Sequence, residues 1–245
     1  MTDQACMSYY FLKKSLSFIN EIIIFKIFLR ICLLKRYILA RDIDKVIHYY
    51  SLAANNNDRN AQANLGVIYY VTRDIDKAIH YFQLTANQND PQAQYNLGLI
   101  YYFAINHTKN NKKGRFYIML ASKNGHEDAN FSHGFLLHEG KNNDRNIEEA
   151  VHYYKEASSL NNRYAKNNLG IIYRHGYGSI EGRAGNAAVY FEEAIRQKND
   201  CLSMYNLAHI CMYDETIKQD LDKSINLLVR SSNLFIDSKF YCAYY

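Results

Sequence analysis

Hydrophobic and polar positions along this chain follow two periods, one nested in the other. The stretch RDIDKVIHYY (Arg41 to Tyr50) returns 32 residues later as RDIDKAIHYF (Arg73 to Phe82). With the residue after D-x-D-K as a marker, blurred copies place it at Val46, Ala78, Lys113, Ala150, Ala187 and Ser224. Three and four residues beyond the marker stand apolar or aromatic pairs such as Tyr49-Tyr50, Tyr81-Phe82, Tyr153-Tyr154 and Tyr190-Phe191. Small residues follow at seven or eight beyond, among them Ala53, Ala86, Ala121, Ala157 and Ala194. Spacings of three, four, seven and eight describe one face of an α-helix. Asp42, Asp74 and Asp220 open three of the copies and are suited to accept the orphan amides of a first helical turn.

A second helix is predicted upstream of each marker. It reads AQANLGVIYY, AQYNLGLIYY, ANFSHGFLLH, AKNNLGIIYR and SMYNLAHICM, from Ala61, Ala93, Ala129, Ala165 and Ser203. Gly66, Gly98, Gly134 and Gly170 fall in mid-helix, where glycine costs about 1 kcal/mol relative to alanine. Their recurrence at one phase predicts close approach of a neighbouring helix, and Ala208 keeps the fifth copy small. Turn clusters such as NNNDRN, NQNDP and KNGHED separate the helices. Each unit is therefore helix, turn, helix, and neither helix buries its face alone. Stacked units do, which predicts an all-α solenoid.

Leu65-Gly66-Tyr69 with Ala78-Phe82, and Leu169-Gly170-Tyr173 with Ala187-Phe191, resemble tetratricopeptide-type repeats. The later periods of 36 to 38 residues, and Tyr173-Arg174-His175-Gly176-Tyr177-Gly178 as a Y-x-x-G-x-G turn, point to the Sel-1-like subfamily. The linker Asn124 to Ala129 (NGHEDA) is similar to that subfamily's inter-repeat segment. The resemblance covers roughly 42–234 and implies a right-handed α-solenoid of about five to six units. Departures are His133 at a leucine position, Lys113 at an alanine position and the glycine-free fifth copy.

The ends are less regular. Leu33 and Tyr37 fit the first-helix phase of the unit that Val46 completes, so the array is expected over 29–236. Residues 1–28 form an irregular apolar and basic segment, read as a degenerate repeat or cap. Residues 10–34 also fit a membrane span, but Lys26 and Arg30 fall within it, at about 2.5–3.5 kcal/mol each on insertion scales. Residues 237–245 read as the start of an incomplete further repeat, and its apolar FYCAYY points to a truncated chain, a self-association surface or a missing partner.

Charge and cysteine usage narrow the function. The net charge is +5, and residues 1–41 carry all of it; the remaining 204 residues balance 22 basic against 22 acidic side chains. A neutral body has no electrostatic footprint for nucleic acid. The five cysteines, Cys6, Cys32, Cys201, Cys211 and Cys242, form no C-x-x-C pair, which reads as reduced thiols and a cytoplasmic location. Membrane association through residues 10–34 is the alternative location.

Catalytic chemistry is sparse. His138-Glu139 lacks the second histidine of H-E-x-x-H, and Gly176-Tyr177-Gly178 with Gly182 has neither the strand nor the lysine of a phosphate loop. His48, His80 and His152 share one helical phase a period apart, too far apart to share a metal, and read as a solvated face. His133 reads as a buried, hydrogen-bonded core histidine. Cys201 and Cys211 flank His209, with no orienting carboxylate in phase for a nucleophile. No enzyme activity, cofactor, metal or small-molecule substrate is expected.

One series stands out: two residues before each glycine phase come Asn64, Asn96, Ser132, Asn168 and Asn206. A carboxamide both donates and accepts, so it can grip a peptide backbone without reading side chains. The resemblance implies that the first helices line a concave groove, where such asparagines form a ladder along an extended partner. Neighbouring groove positions implied in the same way are Tyr95, Leu99, Tyr102, Phe131, Phe135, His138, Arg174, Tyr205 and His209. Gly66, Gly98, Gly134, Gly170, Ala78, Ala150 and Ala187 are the structural repeat positions. The reading that results is a non-catalytic protein–protein interaction scaffold. The alternatives are a membrane-linked adaptor of protein quality control type, anchored by residues 10–34, and a regulatory fragment of a larger signalling protein.

Overall fold

The computed structural model describes residues 43–103, 109–140, 145–177, 180, 182–214 and 219–243. Eleven helices are described and no strand, only an isolated bridge between Tyr177 and Ile180. Trailing helices of the repeats are α1 (Ile43–Asn55), α3 (Ile75–Asn87), α5 (Asn111–Lys123), α7 (Ile147–Ser159), α9 (Ala184–Lys198) and α11 (Leu221–Ala243). Leading helices are α2 (Arg59–Val71), α4 (Pro91–Phe103), α6 (Glu127–Glu139), α8 (Arg163–His175) and α10 (Cys201–Tyr213). The chain forms two compact units, Met1–Thr85 and Ala86–Tyr245.

Local sequence sets most of the described helix starts, Arg183 before α9 being one that makes no side-chain cap bond. Asp58, Asp90, Asn162 and Asp200 each accept the amide three residues on, at 2.7–3.0 Å, and so cap the leading helices α2, α4, α8 and α10. At α6 the cap is an imidazole: His126 Nδ1 accepts from the amide of Ala129 at 3.2 Å. Asp74, Asn110, Asn146 and Asp220 cap trailing helices in the same way. The residue before each leading-helix cap is left-handed: Asn57, Asn89, Gly125, Asn161 and Asn199, at φ between 48° and 82°. In the first unit, Asn57 donates its amide to Ala54 and Asp58 donates to Ala53, both at carbonyl oxygens. That pair of hydrogen bonds ends α1 and aims the chain into α2 within three residues, and asparagine and glycine tolerate the backbone it needs.

Within each unit, leading and trailing helices meet at the recurrent glycines. A Cβ on Gly66 would lie 2.7 Å from the Phe82 ring, and one on Gly170 would lie 2.5 Å from Phe191 Cε1. Gly98 faces Ile118, including its backbone nitrogen, and Gly134 faces Tyr154. The close approach expected at this phase is what the helices show. Ala78, Ala150 and Ala187 are fully buried on the trailing side of these contacts.

One register expectation is corrected. Lys113 is exposed, and the buried small residue of its repeat is Gly114, 36 residues after Ala78 and 36 before Ala150. A Cβ on Gly114 would lie 2.8 Å from the Tyr102 nitrogen. The insertion in that repeat disguised the phase by one residue.

Tyrosine abundance has a packing role. Tyr69 stacks on Tyr81, Tyr101 on Tyr117 and Tyr173 on Tyr190, at ring separations of 5.4–6.0 Å and interplanar angles of 7–17°. Each stack joins the leading and trailing helix of one repeat. Where Leu137 takes the tyrosine position, Tyr153 meets the His133 ring instead, at 4.2 Å. His48, His80 and His152 are exposed, each edge-on to the tyrosine that follows it.

Residues 1–28, the apolar stretch 10–34, the array start at 29, Asp42, Cys6, Cys32 and Gly178 lie outside the described residues. Among the described residues, no helix is long and apolar enough to cross a membrane. α11 runs through Leu221–Ala243 as one helix of 23 residues.

Candidate functional site

The second unit brings α4, α6, α8 and α10 side by side through polar and aromatic contacts between leading helices. Tyr95 Oη lies 2.9 Å from Ser132 Oγ, and its ring packs on His126 at 4.4 Å. Asn167 Oδ1 accepts from both Ser203 Oγ (3.2 Å) and Asn206 Nδ2 (3.1 Å). Arg174 donates from Nη2 to His209 Nδ1. Side chains one repeat apart therefore meet at these positions.

That packing changes what the groove presents. Tyr95, Leu99, Phe131, Phe135 and His138 are buried, not open to a partner as the sequence led one to expect. Phe131 meets Phe135, Tyr154 and Tyr164 at 5.8–6.4 Å between ring centres. Large apolar residues at this phase cover the neighbouring leading helix, because stacked repeats leave no gap there. Tyr102, Arg174, Tyr205 and His209 stay half-buried and reach the surface.

The asparagine series is divided. In the first unit, Asn64 is exposed. In the second, Asn96 is partly exposed and accepts from Gln92 Nε2 at 3.1 Å. Ser132 is held by Tyr95, and Asn206 by Asn167. Asn168 is buried, and its Nδ2 donates to Tyr154 Oη at 3.1 Å. The same Tyr154 Oη lies 3.4 Å from His138 Nδ1, the histidine tautomer setting which of the two donates. Asn168 thus belongs to an interior network, while Asn64, Asn96 and Asn206 retain access to solvent.

Electrostatics concentrate at the late repeats. Burial holds the His209 imidazole below its usual range, and the Arg174 guanidinium adds to the effect. His175 is lowered for the same reasons, burial first and then Arg174 and His209. A neutral His209 leaves Nδ1 able to accept from Arg174. Arg145 lies over the Tyr177 ring at 5.4 Å, with His138 and His175 edge-on to that ring. Half-buried Arg, His and Tyr with hydrogen-bonding capacity suit a polar backbone or an acidic side chain.

Nucleophile chemistry is disfavoured. Burial raises the thiols of Cys201 and Cys211, which keeps them protonated. The His209 Nδ1 is occupied by Arg174. His133 is buried as expected, but its Nδ1 has no hydrogen-bond partner among the described residues. Burial, then Arg115 and Lys123, push its pKa down to about 4. Among the described residues, no group of three or more His, Cys, Asp or Glu is placed to hold a metal ion.

A family model described as the Sel1 repeat matches residues 32–58, 59–90, 91–126, 128–162, 163–199 and 201–234. Matches that begin at 59, 91, 163 and 201 start directly after the caps Asp58, Asp90, Asn162 and Asp200. Among solved structures, the chain is similar to a protective antigen of uropathogenic Escherichia coli strains that displays an SLR fold. That likeness has 23% identity and a TM-score of 0.69, over 76% of this chain and 40% of the other. It is also similar to a Sel1 repeat protein from Oxalobacter formigenes, at 24% identity and a TM-score of 0.64, over 79% of this chain and 80% of that one. The chain spans less than half the length of the Escherichia coli antigen and four-fifths of the Oxalobacter protein. No curated protein matches. These likenesses show the fold, an α-solenoid of stacked helix pairs.

Proposed function

Since the chain belongs to the Sel1 repeat family, we propose that it is a non-catalytic scaffold whose leading helices hold an extended segment of a partner protein. One observation carries this reading. Asn96 on α4, Arg174 on α8 and Tyr205, Asn206 and His209 on α10 stay part-exposed while the apolar residues between them are buried. A surface so composed offers hydrogen bonds to a main chain and little apolar area to a folded domain. Extended peptides are recognised in this way, with main-chain bonds for affinity and nearby side chains for preference. Arg174 and the imidazoles beside it favour a segment with an acidic residue at that end.

Selection from a random peptide library displayed against the full chain tests this. Peptides should be recovered that lose binding to the variant Arg174→Ala with Asn206→Ala and His209→Ala. The circular dichroism spectrum of that variant should match the parent. Peptides that bind parent and variant alike would place the contact elsewhere.

A further inference from the structure

Arg174 and His209 stand 35 residues apart on the leading helices α8 and α10, and both reach the surface. A guanidinium only donates hydrogen bonds, so the Nδ1 that meets Arg174 Nη2 carries a lone pair and the His209 ring is neutral. Few charged or titratable groups surround that ring. From α8 come Arg174 and, beside it, His175. On α10 the Tyr213 ring packs on the imidazole at 4.6 Å, while Tyr205 and Asp214 act on Arg174. Glu192 of α9 and Lys223 of α11 act instead on Cys211, two residues further and on the other side of α10.

Charge is balanced at this place in the free chain. Asp214 offsets the Arg174 cation, and the neutral imidazole adds nothing. A carboxylate arriving on Arg174 therefore brings one uncompensated negative charge to a half-buried surface. The guanidinium turns its N–H groups from Nδ1 to the incoming oxygens, because a charged acceptor makes the stronger bond. That leaves Nδ1 open beside a new anion. Burial, with Arg174 second, holds the free ring below its ordinary value of 6.5. The arriving charge opposes the Arg174 contribution and favours the protonated ring.

We infer that Arg174 and His209 form a carboxylate clamp, in which a partner's carboxylate binds as His209 takes up one proton. The clamp rests on the reading of the leading helices as a surface for an extended segment, and adds the chemistry of one contact and its response to pH. In the bound state Arg174 donates to one carboxylate oxygen and the protonated His209 Nδ1 to the other. The proton comes from water, and no other covalent bond changes. Binding and protonation are reciprocal: if the anion favours the proton, the proton favours the anion by the same factor. The bound ring titrates at a higher pH than the free one. Affinity is therefore greatest below the free value and is lost as pH rises through the bound value.

Calorimetry of the full chain with an acetylated, histidine-free peptide from the display selection tests the inference. Titrations near pH 7 in phosphate and in Tris, whose ionisation heats differ, should show protons taken up on binding. Affinity should fall from pH 6 to pH 8, by up to about tenfold per unit. His209→Gln keeps an acceptor for Arg174 but takes up no proton, so it should bind with a flat pH profile. His152→Gln, on a trailing helix, should keep the slope of the parent. Replacing the peptide's Asp and Glu by Asn and Gln, against amidating its C-terminus, tells which carboxylate sits on Arg174, and one of the two should abolish the uptake. Binding without proton uptake, a slope that survives His209→Gln, or uptake untouched by both peptide changes overturns the clamp and leaves the scaffold reading standing. Recovery of no peptide overturns both.

Discussion

Asn168 and Tyr154 share a buried hydrogen bond of 3.1 Å from the carboxamide to the phenol, and that phenol lies 3.4 Å from His138 Nδ1. The bond joins α8 to α7 and divides the asparagine series into two kinds. Asn168→Ala leaves a buried phenol short of a donor, which costs about 1–3 kcal/mol. Asn64→Ala removes an exposed side chain from a helix and should leave stability within about 0.5 kcal/mol. Denaturant unfolding of the two variants checks this contrast, and equal stabilities would refute it.

The glycine contacts give a graded series. At Gly170 the obstacle to a Cβ is the Phe191 ring, at 2.5 Å; at Gly98 it includes the Ile118 backbone nitrogen, at 2.9 Å. A ring shifts more readily than a backbone, yet Phe191 is fully buried. Gly98→Ala and Gly170→Ala should both lower stability, by about 1–3 kcal/mol, despite alanine's better helix propensity. Gly185→Ala, with nothing within 4 Å of its Cβ, should raise stability slightly. Thermal melts of the three variants decide whether steric contact or propensity governs these sites.

His133 occupies a leucine position with a buried Nδ1 that has no partner among the described residues. Replacing an unsatisfied polar group by an apolar one of similar size removes its desolvation cost. His133→Leu should therefore raise the melting temperature at neutral pH. A lower melting temperature would show that the ring contact with Tyr153 outweighs the unsatisfied nitrogen.

Two buried imidazoles also fix a pH dependence. Burial holds His133 and His138 at about 4, below the ordinary value of 6.5, with nearby arginine charge adding to it. As pH falls below 6.5, the unfolded chain takes up protons that the folded chain refuses, so stability present above 6.5 drains away toward pH 4. Melting temperature should fall between pH 7 and pH 5, and less steeply in His133→Leu. A flat profile would mean that both rings accept protons without cost.

Repeat architecture was readable because it is written redundantly. Gly66, Gly98, Gly134 and Gly170 announce one contact four times, and caps such as Asp74 and Asp220 mark where helices begin. What single-chain reading missed lies where one copy departs from the rest. Gly114 was hidden because its repeat is longer in sequence than the one before it, and the His126 cap because imidazole is an unusual capping group. The candidate groove was only half readable. Sequence phase tells which side of a helix a residue occupies, but not how closely the next repeat covers it. That coverage buries Phe131 and Phe135 and engages Asn168, while Arg174 and His209 stay within reach of solvent. Their pairing spans 35 residues, and no local pattern signals it.

Hydrogen–deuterium exchange of the full chain, with and without a library-selected peptide, tests most directly whether the leading helices hold a partner segment. Protection on binding should appear in α4, α8 and α10, around Asn96, Arg174 and His209, with the trailing helices α7 and α9 unchanged. Protection confined to the trailing helices, or to α11 alone, would contradict the scaffold reading of the leading-helix face.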